Sequence, residues 1–156
     1  MAQINDGIDR LHQIVHVVES AVTQGFTEQQ WLGTIQYLEE KHYGYFRNES
    51  SPTGEEWAPL SEVTIKRKGH NRRLYETGDL IDSVMDSSAE HAIRNTDSFT
   101  LEFGTNRPWA AIHQEGSADG RIPQREFLGL DDQSLEEVQE IMADALEHMI
   151  EEMLAF

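Results

Sequence analysis

The chain has 156 residues, no cysteine and a formal net charge of −17. Its length predicts one domain spanning residues 1–156. The missing cysteines exclude disulfides, thiolate zinc sites and iron–sulfur clusters. A pI near 4.6 argues against gripping nucleic acid with the whole surface. No run approaches ~18 apolar residues, so no membrane span is expected. No basic stretch precedes an apolar run at the N-terminus, so no secretory leader is expected either.

The charge is segregated. Residues 1–63 carry ten acids and three bases, 64–125 nine of each, and 126–156 ten acids and no base. Five of the twelve bases, Lys66, Arg67, Lys68, Arg72 and Arg73, form a knot around His70. Such patches suit contact with complementary neighbours; the plainer reading is a solvated loop and a solvated helix face.

Ile4, Ile8, Leu11, Val15, Val18 and Val22 step by four and three along the first segment, the stripe of an amphipathic helix. Gly25 is its predicted terminator. A second helix starts at Thr27, which has capping-box spacing to Gln30. Its face is Trp31, Ile35, Leu38 and His42, and it is expected to fray near Gly44, with Tyr45 and Phe46 able to extend the face. Residues 47–62 read as a loop punctuated by Pro52, Gly54 and Pro59 and anchored by Trp57 and Leu60. Ser61 caps a short helix that leads into the basic knot, and Asp79 caps another, Asp79 to Met85.

Phe99, Leu101 and Phe103 alternate with polar residues, which predicts a strand pairing with Ala92 to Arg94 across a turn at Asn95-Thr96-Asp97. Trp109 to Ile112 reads as helical, and Gly116 to Gly120 as a mobile loop. Ile122 to Leu130 reads as extended chain, with Pro123 suited to an edge.

The last segment is a helix capped by Asp131 or Asp132. Leu135, Val138, Met142, Ala145 and Met149 form its apolar stripe. Glu137, Glu140, Asp144, Glu147 and Glu151 repeat the steps two positions later, about 200° around the helix. With no base in the helix, these acids repel one another, and Glu151 and Glu152 sit at the unfavourable end of the dipole. The fold class is α+β, with long N- and C-terminal helices packed on a small antiparallel sheet.

No catalytic signature emerges. His12 and His16 have two-histidine metal spacing without a third ligand, so neither a metal nor a cofactor is expected. His113 could serve as a base in a hydrolase with nearby carboxylates; a hydrogen-bonded structural histidine is the plainer reading. A buried His113 without a cleft would remove the hydrolase reading. The knot has no adjoining aromatic platform or helix-turn-helix pattern, so a protein partner suits it better than nucleic acid.

Two blocks carry a resemblance. One is Phe46 through Leu60, containing Trp57, Ala58 and Pro59, followed by Thr64. The other pairs Trp109-Ala110-Ala111-Ile112-His113-Gln114-Glu115-Gly116 with Ile122-Pro123-Gln124-Arg125-Glu126-Phe127-Leu128-Gly129. Between them stand Leu74, Thr77-Gly78-Asp79-Leu80 and Ser83. Their order over roughly residues 30–150 resembles the phage virion morphogenesis family, which includes Mu-like G proteins and P2-like tail completion proteins. Trp109 departs from the expected tyrosine but stays aromatic. The acidity of the last helix is not part of the family pattern.

The resemblance implies a structural, non-enzymatic protein of a tailed phage or prophage. It would act in virion assembly at the neck, in tail completion and head–tail joining. The implied state is a ring, hexameric to match the tail, touching the tail tube and connector. The chain would reside in the virion and, during assembly, in the host cytoplasm. The alternative is a transient assembly accessory absent from the virion. Interface roles are expected for the knot, for an edge-exposed Arg125 and for the acidic stripe. Trp57, Pro59, Leu60, Gly78, Trp109, His113, Gly116, Pro123, Phe127 and Gly129 are motif positions, with Trp57, Gly78 and Phe127 expected to serve packing or loop closure. In a ring, an acidic channel surface would let DNA pass without binding.

Overall fold

The computed structural model describes residues 2–155, with side chains from His12 onward; the side chains of Ile4, Ile8 and Leu11 lie outside the described residues. Helix α1 spans Ala2–Gln24. It ends at Gly25, whose φ of 67° is left-handed. A Cβ there would stand 2.1 Å from the Ser98 carbonyl oxygen, so only glycine fits. The next N–H, of Phe26, donates to that same oxygen at 2.7 Å.

Helix α2 spans Glu28–Asn48 and opens with the predicted box, the Gln30 side chain accepting from the Thr27 N–H at 2.7 Å. It does not fray at Gly44. Burial of Tyr45 and Phe46 carries the helix through a residue that costs about 1 kcal/mol in a helix interior. It stops at Glu49, a left-handed corner with φ 51°. The Glu49 carbonyl accepts from Trp57 N–H at 2.8 Å. Its carboxylate accepts from the Arg73 backbone N–H and from Arg73 Nη1, both at 2.6 Å. The loop between is pinned by Trp57, as expected: its ring is buried and its Nε1 donates to the Glu126 carbonyl at 2.8 Å.

Helix α3 is Glu62–Lys68, capped by Ser61. Helix α4 is Asp79–Met85, but its cap position belongs to Gly78, with φ 95°. The glycine takes the left-handed corner, so Asp79 moves into the first turn, where its charge still suits the dipole. Strands β1 (Ala92–Thr96) and β2 (Leu101–Thr105) pair antiparallel, Ala92 opposite Thr105 and Thr96 opposite Leu101. The turn therefore lies later than the sequence suggests. Asp97 Oδ1 accepts from the Phe99 and Thr100 N–H groups at 2.7 and 2.8 Å. This Asx turn takes Phe99 out of the strand and leaves it 63% exposed. Trp31 Nε1 donates to the Asp97 carbonyl at 2.8 Å, tying the turn to α2.

Helix α5 is Ala110–Glu115. Gly116 to Gly120 forms a hydrogen-bonded turn, Ser117 N–H donating to the Ile122 carbonyl at 2.8 Å. The extended segment after it joins no sheet. Its N–H groups go elsewhere: Arg125 donates to the His113 carbonyl at 2.8 Å, and Phe127 and Leu128 both donate to Gln114 Oε1 at 3.0 Å. Helix α6 is Asp132–Leu154, capped by Asp131 accepting from Ser134 N–H at 2.9 Å.

The fold is α+β, as expected. The hairpin is backed by α4 and α2, and α6 lies against α1 and α2. Tyr45, Phe46, Trp57, Leu80, Val84, Ala110 and Phe127 form the core. Arg94 fastens the hairpin to it. Its Nε donates to Glu39 Oε1 at 3.0 Å, its Nη2 donates to the Val84 carbonyl at 2.5 Å, and its guanidinium lies 3.9 Å from the Phe103 ring centroid.

Candidate functional site

The basic knot divides in two. Lys66 and Arg67 are exposed, Arg67 pairing with Glu76 at 3.2 Å. Arg72 is also exposed and stacks over the Tyr75 ring, 3.7 Å from its centroid. Lys68 is half-buried, its Nζ donating to the Arg72 carbonyl at 2.9 Å. Burial holds its pKa below the ordinary lysine range. Arg73 turns inward to Glu49 and, at 2.8 Å, to Glu56. It is a brace of the Glu49 corner, so Lys66, Arg67 and Arg72 carry the knot's outward charge.

Arg125 is not an exposed edge group. It is only 5% accessible, and its guanidinium donates through Nε to the Ala58 carbonyl at 2.8 Å and through Nη2 to the Pro59 carbonyl at 2.9 Å. The planar fork matches two successive carbonyls, so this side chain locks the two motif blocks together. Burial, with Arg73 nearby, lowers its pKa from the usual range. Arg125→Met leaves two carbonyls without a donor and is expected to lower the unfolding free energy by about 2 kcal/mol, read from urea denaturation.

Phe127 is fully buried, and Gly78 holds a buried left-handed corner, both as packing and loop closure require. Gly116 and Gly129 take φ 79° and 148°, and a Cβ on Gly129 would stand 3.1 Å from Pro52 Cγ. Gln114, within a quoted block but not singled out, is a second lock. Its Nε2 donates to the Leu128 carbonyl at 2.8 Å while its Oε1 takes two N–H groups. Glu49 and Arg94 are further braces that no spacing rule marks.

A groove of about 930 Å³ opens beside these locks. Leu60, Leu74, Trp109, Ile122 and Pro123 give it apolar walls, and Arg67, Lys68 and Arg121 stand along it. Trp109 is 42% exposed. His113 lies against it, ring centroids 6.1 Å apart, with its Nδ1 out of solvent and without a partner. Burial first, then Arg125 and Lys68, push the His113 pKa down. A cleft does adjoin His113, but no carboxylate pairs with it. The groove's Ser61 and Thr64 hydroxyls bond each other at 2.9 Å. Among the described residues, neither a carboxylate nor a hydroxyl is hydrogen-bonded to His113 Nδ1.

Two further surfaces stand apart from the groove. Along α6, Glu140, Asp144, Glu147 and Glu151 are exposed and none pairs with a base among the described residues. Glu137 differs, accepting from Tyr37 Oη at 2.5 Å and Gln133 Nε2 at 3.1 Å. It fastens α6 to α2 instead of joining the outer stripe. Along α1, Ala21 faces inward, whereas Val15, Val18 and Val22 stay exposed, Val22 at 64%. His12 and His16 are exposed on the same helix. Among the described residues no cluster of three metal-ligating side chains occurs, and no helix is long and apolar enough to cross a membrane.

No curated protein matches the chain, and no solved structure does. The model of the phage virion morphogenesis family matches residues 9–147, most of the chain. That family is one of structural and assembly proteins, and it associates the chain with the phage virion or its assembly. The blocks locked by Trp57, Arg125 and Gln114 lie inside the match. This chain belongs to the phage virion morphogenesis family and is a phage virion assembly protein.

Proposed function

We propose that the chain is a ring-forming subunit of the phage neck, acting in tail completion and in joining the head to the tail. Family membership supports the assembly role. One observation carries the ring: α1 leaves Val15, Val18 and Val22 open to solvent at the three-and-four spacing of a helix seam. A monomer gains nothing from keeping such a stripe wet; a neighbouring subunit covers it. In such a ring, the net charge of −17 favours an acidic channel surface. DNA then passes through without the phosphate contacts that would hold it. Tail symmetry sets six as the expected number of copies. Native mass spectrometry of the purified chain tests this: a dominant hexamer is expected, with Val15→Ser/Val18→Ser at least tenfold weaker in assembly. A chain that stays monomeric at tens of micromolar overturns the ring.

A further inference from the structure

We propose that the groove walled by Leu60, Trp109 and Ile122 receives the acidic outer face of α6 from the next copy of this chain. The inference rests on the ring reading and names the two surfaces that meet in it.

The groove is built for an acidic, partly apolar guest. Four cationic side chains line it, Arg67, Lys68, Arg121 and Arg125, against two acids, Glu76 and Asp79. That local excess of positive charge stands out in a chain of net −17. Arg125 is committed to the fold, but Arg67 and Arg121 are held only by exposed pairs to Glu76 and Asp119, each at 3.2 Å. Such pairs contribute little and exchange easily for an incoming carboxylate. Trp109 offers a half-open indole wall, a residue type enriched among the side chains that dominate binding energy at interfaces. Beside it, His113 Nδ1 is shielded from water with no partner.

The α6 face supplies the complement. Glu140, Asp144, Glu147 and Glu151 lie on successive turns with no base to neutralise them within the helix, and exposed Leu154 follows them. Their mutual repulsion, and the helix dipole at Glu151, are both relieved by cations from outside. Within one chain α6 packs on α1 and α2 and contributes no residue to the groove. The two surfaces are thus separate, and joining one to the other on the next copy makes a head-to-tail contact, which closes into a ring when the rotation fits.

A charge swap tests the pairing, with sedimentation velocity as the readout and circular dichroism confirming the fold. All four substituted residues are exposed. Glu147→Lys/Glu151→Lys and Arg67→Glu/Arg121→Glu are each expected to weaken assembly at least tenfold. Combining all four in one chain is expected to restore it. If the wild type assembles and either double variant assembles equally well, the groove assignment is wrong while the ring stands. If both weaken but the combination does not recover, the pairing of these two surfaces is wrong. Assembly that stops at dimers overturns the head-to-tail contact, and a wild-type chain that never assembles overturns ring and groove together.

Discussion

Phe127→Ala is expected to lower the unfolding free energy by about 3–5 kcal/mol, the range for deleting a buried phenylalanine. Phe127 is 0% exposed, with its ring centroid 5.7 Å from that of Phe46. Phe46 in turn meets Trp57 edge-on at 5.6 Å. The surrounding atoms are poorly placed to collapse into the gap. The Phe127 backbone is fixed by Gln114, and the neighbouring Glu126 carbonyl is held by Trp57. A cavity that cannot close costs its full volume, which puts the expected loss at the upper end of the range. Phe127→Leu retains most of the volume and should lose markedly less. Urea denaturation of the two variants against the wild type checks both, and a loss below about 1 kcal/mol for alanine would mean the ring is not the centre of the core.

Acidification is expected to remove about 3 kcal/mol through His42 alone. Burial, above all, pushes its pKa from 6.5 down to about 4, with Arg94 adding in the same direction. The hydrogen bonds give the geometric reason. Nδ1 stands 2.6 Å from the Leu38 carbonyl and so carries the proton, while Nε2 accepts from the Gly129 N–H at 3.3 Å. A second proton would set two N–H groups against each other. The unfolded chain binds that proton below pH ~6.5 and the folded chain only below about 4, so the unfolded state holds more protons in between. The His42 contribution is complete above pH ~6.5, declines down to about pH 4 and is flat below. At about 1.4 kcal/mol per pH unit the total is ~3 kcal/mol. Carboxylates also titrate in this window, so the measurement is the difference between wild type and His42→Gln across pH 4–7. Parallel curves for the two chains would contradict it.

Short-range chemistry was legible in the sequence and long-range pairing was not. The Thr27–Gln30 box, the Ser61 cap and the Asp131 cap each depend on residues three apart, and all three form. The hairpin was readable as a hairpin, but Asp97 captured two N–H groups and moved its turn. The apolar stripe of α1 had the right period for a helix, yet periodicity cannot say what covers a face. Val15, Val18 and Val22 are uncovered within one chain, although α6 packs on the same helix. Arg125 shows the same limit at a single residue. An arginine two residues after a proline in an extended segment reads as an exposed edge, and only the fold brings the Ala58 and Pro59 carbonyls, 67 and 66 positions away, within reach. Gln114 and Arg94 carry no sequence signal for the same reason: Gln114 bonds backbone groups of residues 127 and 128, and Arg94 meets Glu39 across 55 positions. The resemblance succeeded because it depends on the order of several such locks rather than on any one.

Reconstruction of the intact head–tail junction by electron cryomicroscopy tests the proposed ring in place. A closed ring of this chain is expected at the head-proximal end of the tail, with α6 of each copy against the Trp109 groove of its neighbour and an acidic channel. A neck without this chain, or a ring whose channel is lined mainly by lysine and arginine, would contradict it.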